Sequence, residues 1–148
     1  MIDPTWFEDE GFVFLRSGVP IFLTALCDTI MYIPETGTFT AMKLRFGAMD
    51  IVTEPGEPLT EVLRRFGDRG YREQVLESRH FTQAAAVHGV PDLDEGFNYV
   101  PMLALGGPHR AANLDRGHAA VSQSLLLQVD TPELRAYSPS MVEPRPDN

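Results

Sequence analysis

A change of hydrophobic period at residues 54–58 constrains this chain more than any other feature. Before it, short apolar and β-branched runs stand between turn residues. After it, Leu59, Val62, Leu63 and Phe66 recur at i, i+3, i+4 and i+7, the spacing of one helix face. The junction, Glu54-Pro55-Gly56-Glu57-Pro58, suits neither a strand interior nor a helix interior. A chain that runs strands first and helices later belongs to the α+β class.

The first half reads as an antiparallel β-meander. Residues 11–16 (GFVFLR), residues 20–27 (PIFLTALC), Thr29–Ile33, residues 38–44 (TFTAMKL) and residues 49–53 (MDIVT) each have strand composition. Ser17-Gly18, Pro34-Glu35-Thr36-Gly37 and Gly47 punctuate them. After the first helix, the pattern predicts a second helix from Tyr71 to His88, ended by Gly89 with Pro91 beyond. Residues 90–96 then form an acidic loop. Residues 97–105 (FNYVPMLAL) read as a further strand, with Pro101 marking an edge, an end or a bulge. Residues 113–117 are polar, and residues 118–129 read as a C-terminal helix. The expected organisation is one domain over residues 1–130. Residues 131–148 carry Pro132, Pro139, Pro144 and Pro146 and are expected to be a partly disordered tail.

Charge narrows the classes of partner. Twelve Lys+Arg against 21 Asp+Glu give a net charge of −9. Residues 1–58 hold three basic and nine acidic groups (−6), residues 59–91 five and four (+1), and residues 92–148 four and eight (−4). Such a surface repels nucleic acid and attracts basic proteins. No apolar run approaches the roughly 20 residues that span a bilayer, and the acidic N-terminus lacks a secretory pattern. The single cysteine, Cys27, sits in an apolar run and reads as a buried thiol. A reducing, cytoplasmic setting is the expectation.

Motifs for chemistry are absent. His80 and His88 are eight residues apart, too far for an i, i+4 zinc pair, and His109 and His118 flank a loop, so no metal ligand set is expected. Asp92, Asp94 and Glu95 lack the remaining positions of a calcium loop and read as a solvated acidic loop. Gly106-Gly107-Pro108 is a sharp turn and no phosphate loop. Ser122 and Ser124 have no nucleophile-elbow sequence around them. No catalytic residue and no cofactor are expected.

Two segments together carry a resemblance. One is FLTALCDTIMY at residues 22–32, followed by the strand at residues 38–44. The other is FNYVPMLALGG at residues 97–107, then Asn113-Leu114 and HAAVSQSLLLQ at residues 118–128. The chain resembles, over roughly residues 11–129, the C-terminal domain of type VI secretion DNase immunity proteins, which often follows a GAD-like domain. Cys27 stands where that family usually has Gly, and only ten residues precede the segment, too few for a GAD-like domain. The resemblance implies an antitoxin-like protein that binds and neutralises a cognate effector, with a basic nuclease as the candidate partner. A non-catalytic interaction module or small-ligand-binding module is the alternative. Asp92, Asp94 and Glu95 are the expected partner-binding residues. Asp28, Pro101, Gly106, Gly107 and Asn113 are the expected structural motif, with Asp28 and Asn113 hydrogen-bonding to backbone.

Overall fold

The computed structural model describes residues 18–129 and, for the backbone, residues 135–137. The fold is α+β, as expected. Strands β1 (Val19–Leu23), β2 (Thr29–Ile33), β3 (Thr38–Lys43) and β4 (Ala48–Ile51) pair successively and antiparallel, and β7 (Arg135–Tyr137) adds parallel to β4. Helices α1 (Leu59–Gly67), α2 (Arg69–Leu76) and α3 (Ser78–His88) follow. A two-stranded ribbon, β5 (Glu95–Tyr99) with β6 (Leu114–His118), precedes α4 (Ala119–Val129). The run at residues 11–16 and most of the proline-rich segment after residue 129 lie outside the described residues. No helix among them is long and apolar enough to cross a membrane.

Strand alternation sends side chains to both faces of the sheet, and both are covered. On one face Ile30, Phe39, Ala41 and Val52 pack against Val62 of α1 and Val75 of α2. On the other, Met31, Ile33, Met42 and Leu44 pack against Leu126 and Leu127 of α4. Val62 and Val75 lose all solvent exposure, worth roughly 1.5–3 kcal/mol each in transfer terms. A third cluster, Leu26, Ala84, Phe97, Tyr99 and Leu114, joins the ribbon to α3.

Four local expectations differ from the structure, each for a physical reason. The run at residues 20–27 ends as a strand at Leu23, because residues 24–27 make a tight turn. The Thr24 amide donates to the Asp28 carbonyl (2.8 Å), the Asp28 amide donates to Thr24 Oγ1 (3.1 Å), and Cys27 takes φ 60°. The helix expected over residues 71–88 is two helices. Glu77 breaks it in left-handed geometry (φ 49°, ψ 50°), although no Gly or Pro stands there. The strand expected over residues 97–105 stops at Tyr99: the Val100–Pro101 peptide is cis and residues 103–105 form a 3₁₀ turn. The polar stretch at residues 113–117 holds β6, which buries Leu114 against Tyr99 and leaves Asp115 outside.

The expectation that residues 97–105 and 22–33 share a core holds in part. The Phe97 amide donates to the Ala25 carbonyl (2.8 Å), and Leu26 packs with Phe97 and Tyr99. Val100 and Leu105, by contrast, are exposed. Gly96 permits this join, since a Cβ there would collide with Cys27 Sγ.

Candidate functional site

A row of buried charges lies where the sheet meets the ribbon. Parity in β3 puts Lys43 on the face of Phe39 and Ala41, and Asp50 pairs opposite Ala41 in β4. Their side chains meet at 2.7 Å and are 3% and 2% exposed. One step along, Arg45 binds Asp28 at 2.8 Å through one terminal nitrogen and Glu77 at 2.6 Å through the other. Glu77 reaches this position because the α2–α3 break turns it inward. Its second oxygen accepts from His109 Nε2 at 2.6 Å. His80, on the first turn of α3, shares a 2.6 Å hydrogen bond between Nδ1 and the Tyr99 hydroxyl. The two histidine rings meet edge to face, with centroids 4.9 Å apart.

Burial governs the protonation of these groups. It raises Asp28 to about 6, against the opposing pull of Arg45 and Lys43. Burial also lowers His80, which favours its neutral ring. It raises the Tyr99 phenol well above its usual range. The Cys27 thiol is pushed up to about 12, first by burial and then by Asp28, which disfavours the thiolate.

Beside this row is a cavity of about 260 Å³. Leu26, Phe97, Leu103 and Leu126 make its apolar wall, and Asp28 and Arg45 stand at its polar end. It is small for a drug-sized ligand and offers no nucleophile paired with a base. Ser122 and Ser124 bond to carbonyls of their own helix, at His118 and Ala120.

The expected partner-binding residues form one surface. Arg116 in β6 donates to Glu95 (2.5 Å) and to Asp92 (2.8 Å), and the Asp92 amide donates to Glu95 Oε2 (3.0 Å). His118 Nε2 lies 3.7 Å from Asp94. Three carboxylates against one guanidinium leave the loop at about −2, less acidic than its sequence suggests. Leu93, at the loop tip, is fully exposed between Asp92 and Asp94. It borders a hollow lined by Ile21, Leu23 and Ala120, along β1, which is one edge of the sheet among the described residues.

The expected structural residues divide. Among the described residues the Asp28 carboxylate accepts from Arg45 (2.8 Å) and from no backbone amide, which differs from the expectation because the side chain is buried beside a cation. Asn113 does turn to backbone, its Nδ2 3.4 Å from the Val100 carbonyl, while the Val100 amide donates to the Asn113 carbonyl at 2.7 Å. Pro101 sits at the strand end. Gly106, at φ 82°, closes the 3₁₀ turn, and Gly107 donates to the Met102 carbonyl. A Cβ on Gly107 would overlap the Pro101 carbonyl. Sequence spacing missed Glu77, His80 and His109, which the fold brings within 4.8 Å of one another through single ligand atoms.

No curated protein matches this chain. Among solved structures, Atu4351 from Agrobacterium tumefaciens aligns with a TM-score of 0.54 at 12% identity, over 82% of this chain and 57% of that one. That likeness is one of fold, and the chain spans little more than half of that protein's resolved length. Residues 61–130 match the family described as T6SS immunity protein Tdi1, C-terminal. The match takes in all four helices but the opening of α1, together with the ribbon and the turn at Gly106-Gly107, and it begins after β1–β4. Over residues 61–130, just under half of the chain, the sequence is thus similar to the C-terminal domain of T6SS immunity proteins.

Proposed function

We propose that this chain is a bacterial immunity protein that binds a T6SS effector and neutralises it by occlusion, without catalysis. The family match over residues 61–130 carries this reading. The site chemistry is consistent with it: buried ion pairs and a small apolar cavity suit a rigid scaffold better than an active centre. The contact surface in this reading is the 90–95 loop with the neighbouring edge of β1. Leu93 supplies an exposed apolar anchor, and Asp92, Asp94 and Glu95 supply an acidic rim. A basic nuclease fits such a rim, because carboxylates can occupy positions where the enzyme otherwise binds phosphates. The partner is then a protein met in the cytoplasm, with no direct contact to nucleic acid or membrane.

Co-expression with the effector encoded beside this gene tests the proposal. Growth is restored and the two proteins co-purify if it holds. An effector that stays toxic and does not bind refutes it. The cavity favours a second reading, a small-ligand module, which a screen for ligand-induced thermal stabilisation would separate from the first.

A further inference from the structure

We propose that Glu77, His80 and His109 form a zinc site that fastens the 106–113 segment to the α2–α3 junction. One ligand atom from each residue lies within 4.8 Å of the others. Two imidazoles and a carboxylate are a donor set zinc accepts, at roughly 2.0–2.2 Å per ligand. Glu77 immediately precedes α3 and His80 lies in its first turn, so the α2–α3 junction supplies two of the three ligands. His109 arrives from a segment 32 residues beyond Glu77 in sequence.

Three features prepare these side chains for a metal. The first is their backbone: Glu77 holds the left-handed conformation that aims its carboxylate inward, an unfavourable geometry for a residue with a Cβ. The second is ring orientation. Phe46 and Tyr99 meet the His109 ring at 5.4 and 5.3 Å, and the Tyr99 hydroxyl holds His80 Nδ1, the kind of outer partner that steadies a ligating imidazole. The third is charge. Asp28 and Glu77 together face one guanidinium, Arg45, which leaves a net negative charge beside the two rings. Lys43 is engaged by Asp50 and does not cancel it.

An ion here would replace the Glu77–His109 hydrogen bond and draw His80 into the same centre. Three protein ligands leave a fourth position for water. His109 is 46% exposed, so that position faces solvent. An ion held this way ties the long connection between β5 and β6 to α3.

The experiment uses the full chain, freed of metal with a chelator and titrated with zinc chloride by calorimetry. Binding of one equivalent with a rise in melting temperature is expected, as is the visible absorption of four-coordinate cobalt when cobalt is substituted. His109→Gln and His80→Gln should each weaken zinc binding by roughly 100-fold or more. His88→Gln combined with His118→Gln should leave it unchanged, because those rings face Asp115 and Asp94 instead. If His80→Gln fails to fold, the half-exposed His109→Gln decides alone. Absence of stoichiometric binding overturns the site, and so does binding that survives His109→Gln or is lost in the His88/His118 variant.

Discussion

Replacing Asp28 by asparagine probes the buried charge row through pH. Burial raises the Asp28 carboxyl from 3.8 to about 6; Arg45 and Lys43 oppose the rise, and Glu77 and Asp50 add to it. The folded value lies above the unfolded one. Between those two values the folded chain keeps a proton that the unfolded chain releases. Stability from the neutral carboxyl is therefore complete below pH 3.8 and is lost as pH climbs through about 6. At about 1.4 kcal/mol per decade, the loss comes to about 3 kcal/mol. Asp28→Asn keeps an oxygen acceptor for Arg45 and cannot ionise. Its stability relative to the parent should thus improve by about 3 kcal/mol between about pH 3.5 and about pH 7.5. Urea denaturation at stepped pH measures this difference. Taking the difference removes the opposing contributions of Glu61 and Glu95, whose carboxyls are held low, by Arg64 for Glu61 and by the Asp92 amide and Arg116 for Glu95. A difference that stays flat with pH, or that moves in favour of aspartate, would refute the reasoning. The second result would mean that the Arg45 pairing outweighs burial.

Other expectations follow from single contacts. Gly107→Ala should cost about 1–3 kcal/mol, since its Cβ would overlap the Pro101 carbonyl; a melting temperature equal to the parent's would show that the turn yields freely. Gln123→Met should cost about 1–3 kcal/mol in chemical denaturation, because it withdraws donors from the Cys27 carbonyl (2.9 Å) and Thr29 Oγ1 (3.0 Å) while keeping side-chain length; a loss below about 0.5 kcal/mol would count against that tie between α4 and β2. Charge reversal at Asp92 and Asp94 should slow association with a basic effector and flatten its salt dependence. Unchanged association kinetics would move the contact surface elsewhere.

How much of this was legible in the sequence depended on the range of the interaction involved. Periodicity is local, so the change at residues 54–58 announced strands before helices. The meander could be read from its turns, because Gly37 and Gly47 adopt positive φ and punctuate the strands. The Glu77 break could not be read. Its surroundings have good helix composition, and the charge it meets, Arg45, stands 32 residues earlier. Strand β6 was hidden for a related reason. LDRGH buries only Leu114 fully, so it offers too few apolar residues to show a period of two. The Glu77–His80–His109 grouping has no spacing signature either, because His109 is placed by the turn at Gly106-Gly107 and not by helix geometry.

The ionic row did leave a signal, in strand parity. In β3, Phe39 and Ala41 share a face with Lys43, while Arg45 stands in the 3₁₀ turn at Leu44–Phe46 that follows the strand. In β2, Ile30 and Tyr32 share a face, and the same step back leads to Asp28. Lys43 and Asp50 therefore sit at the buried parity of paired strands, and Asp28 and Arg45 flank the same end of the β2–β3 pair. A lone buried charge is costly, so such charges must either meet or leave the core. Asp28 and Arg45 meet through a hydrogen bond, and Glu77 adds a second carboxylate beside the guanidinium, as an ion pair without hydrogen-bond geometry. Glu77 stands directly after α2, the helix that carries Val75. The α2–α3 break places Glu77 where its charge offsets that of the buried Arg45 together with Asp28.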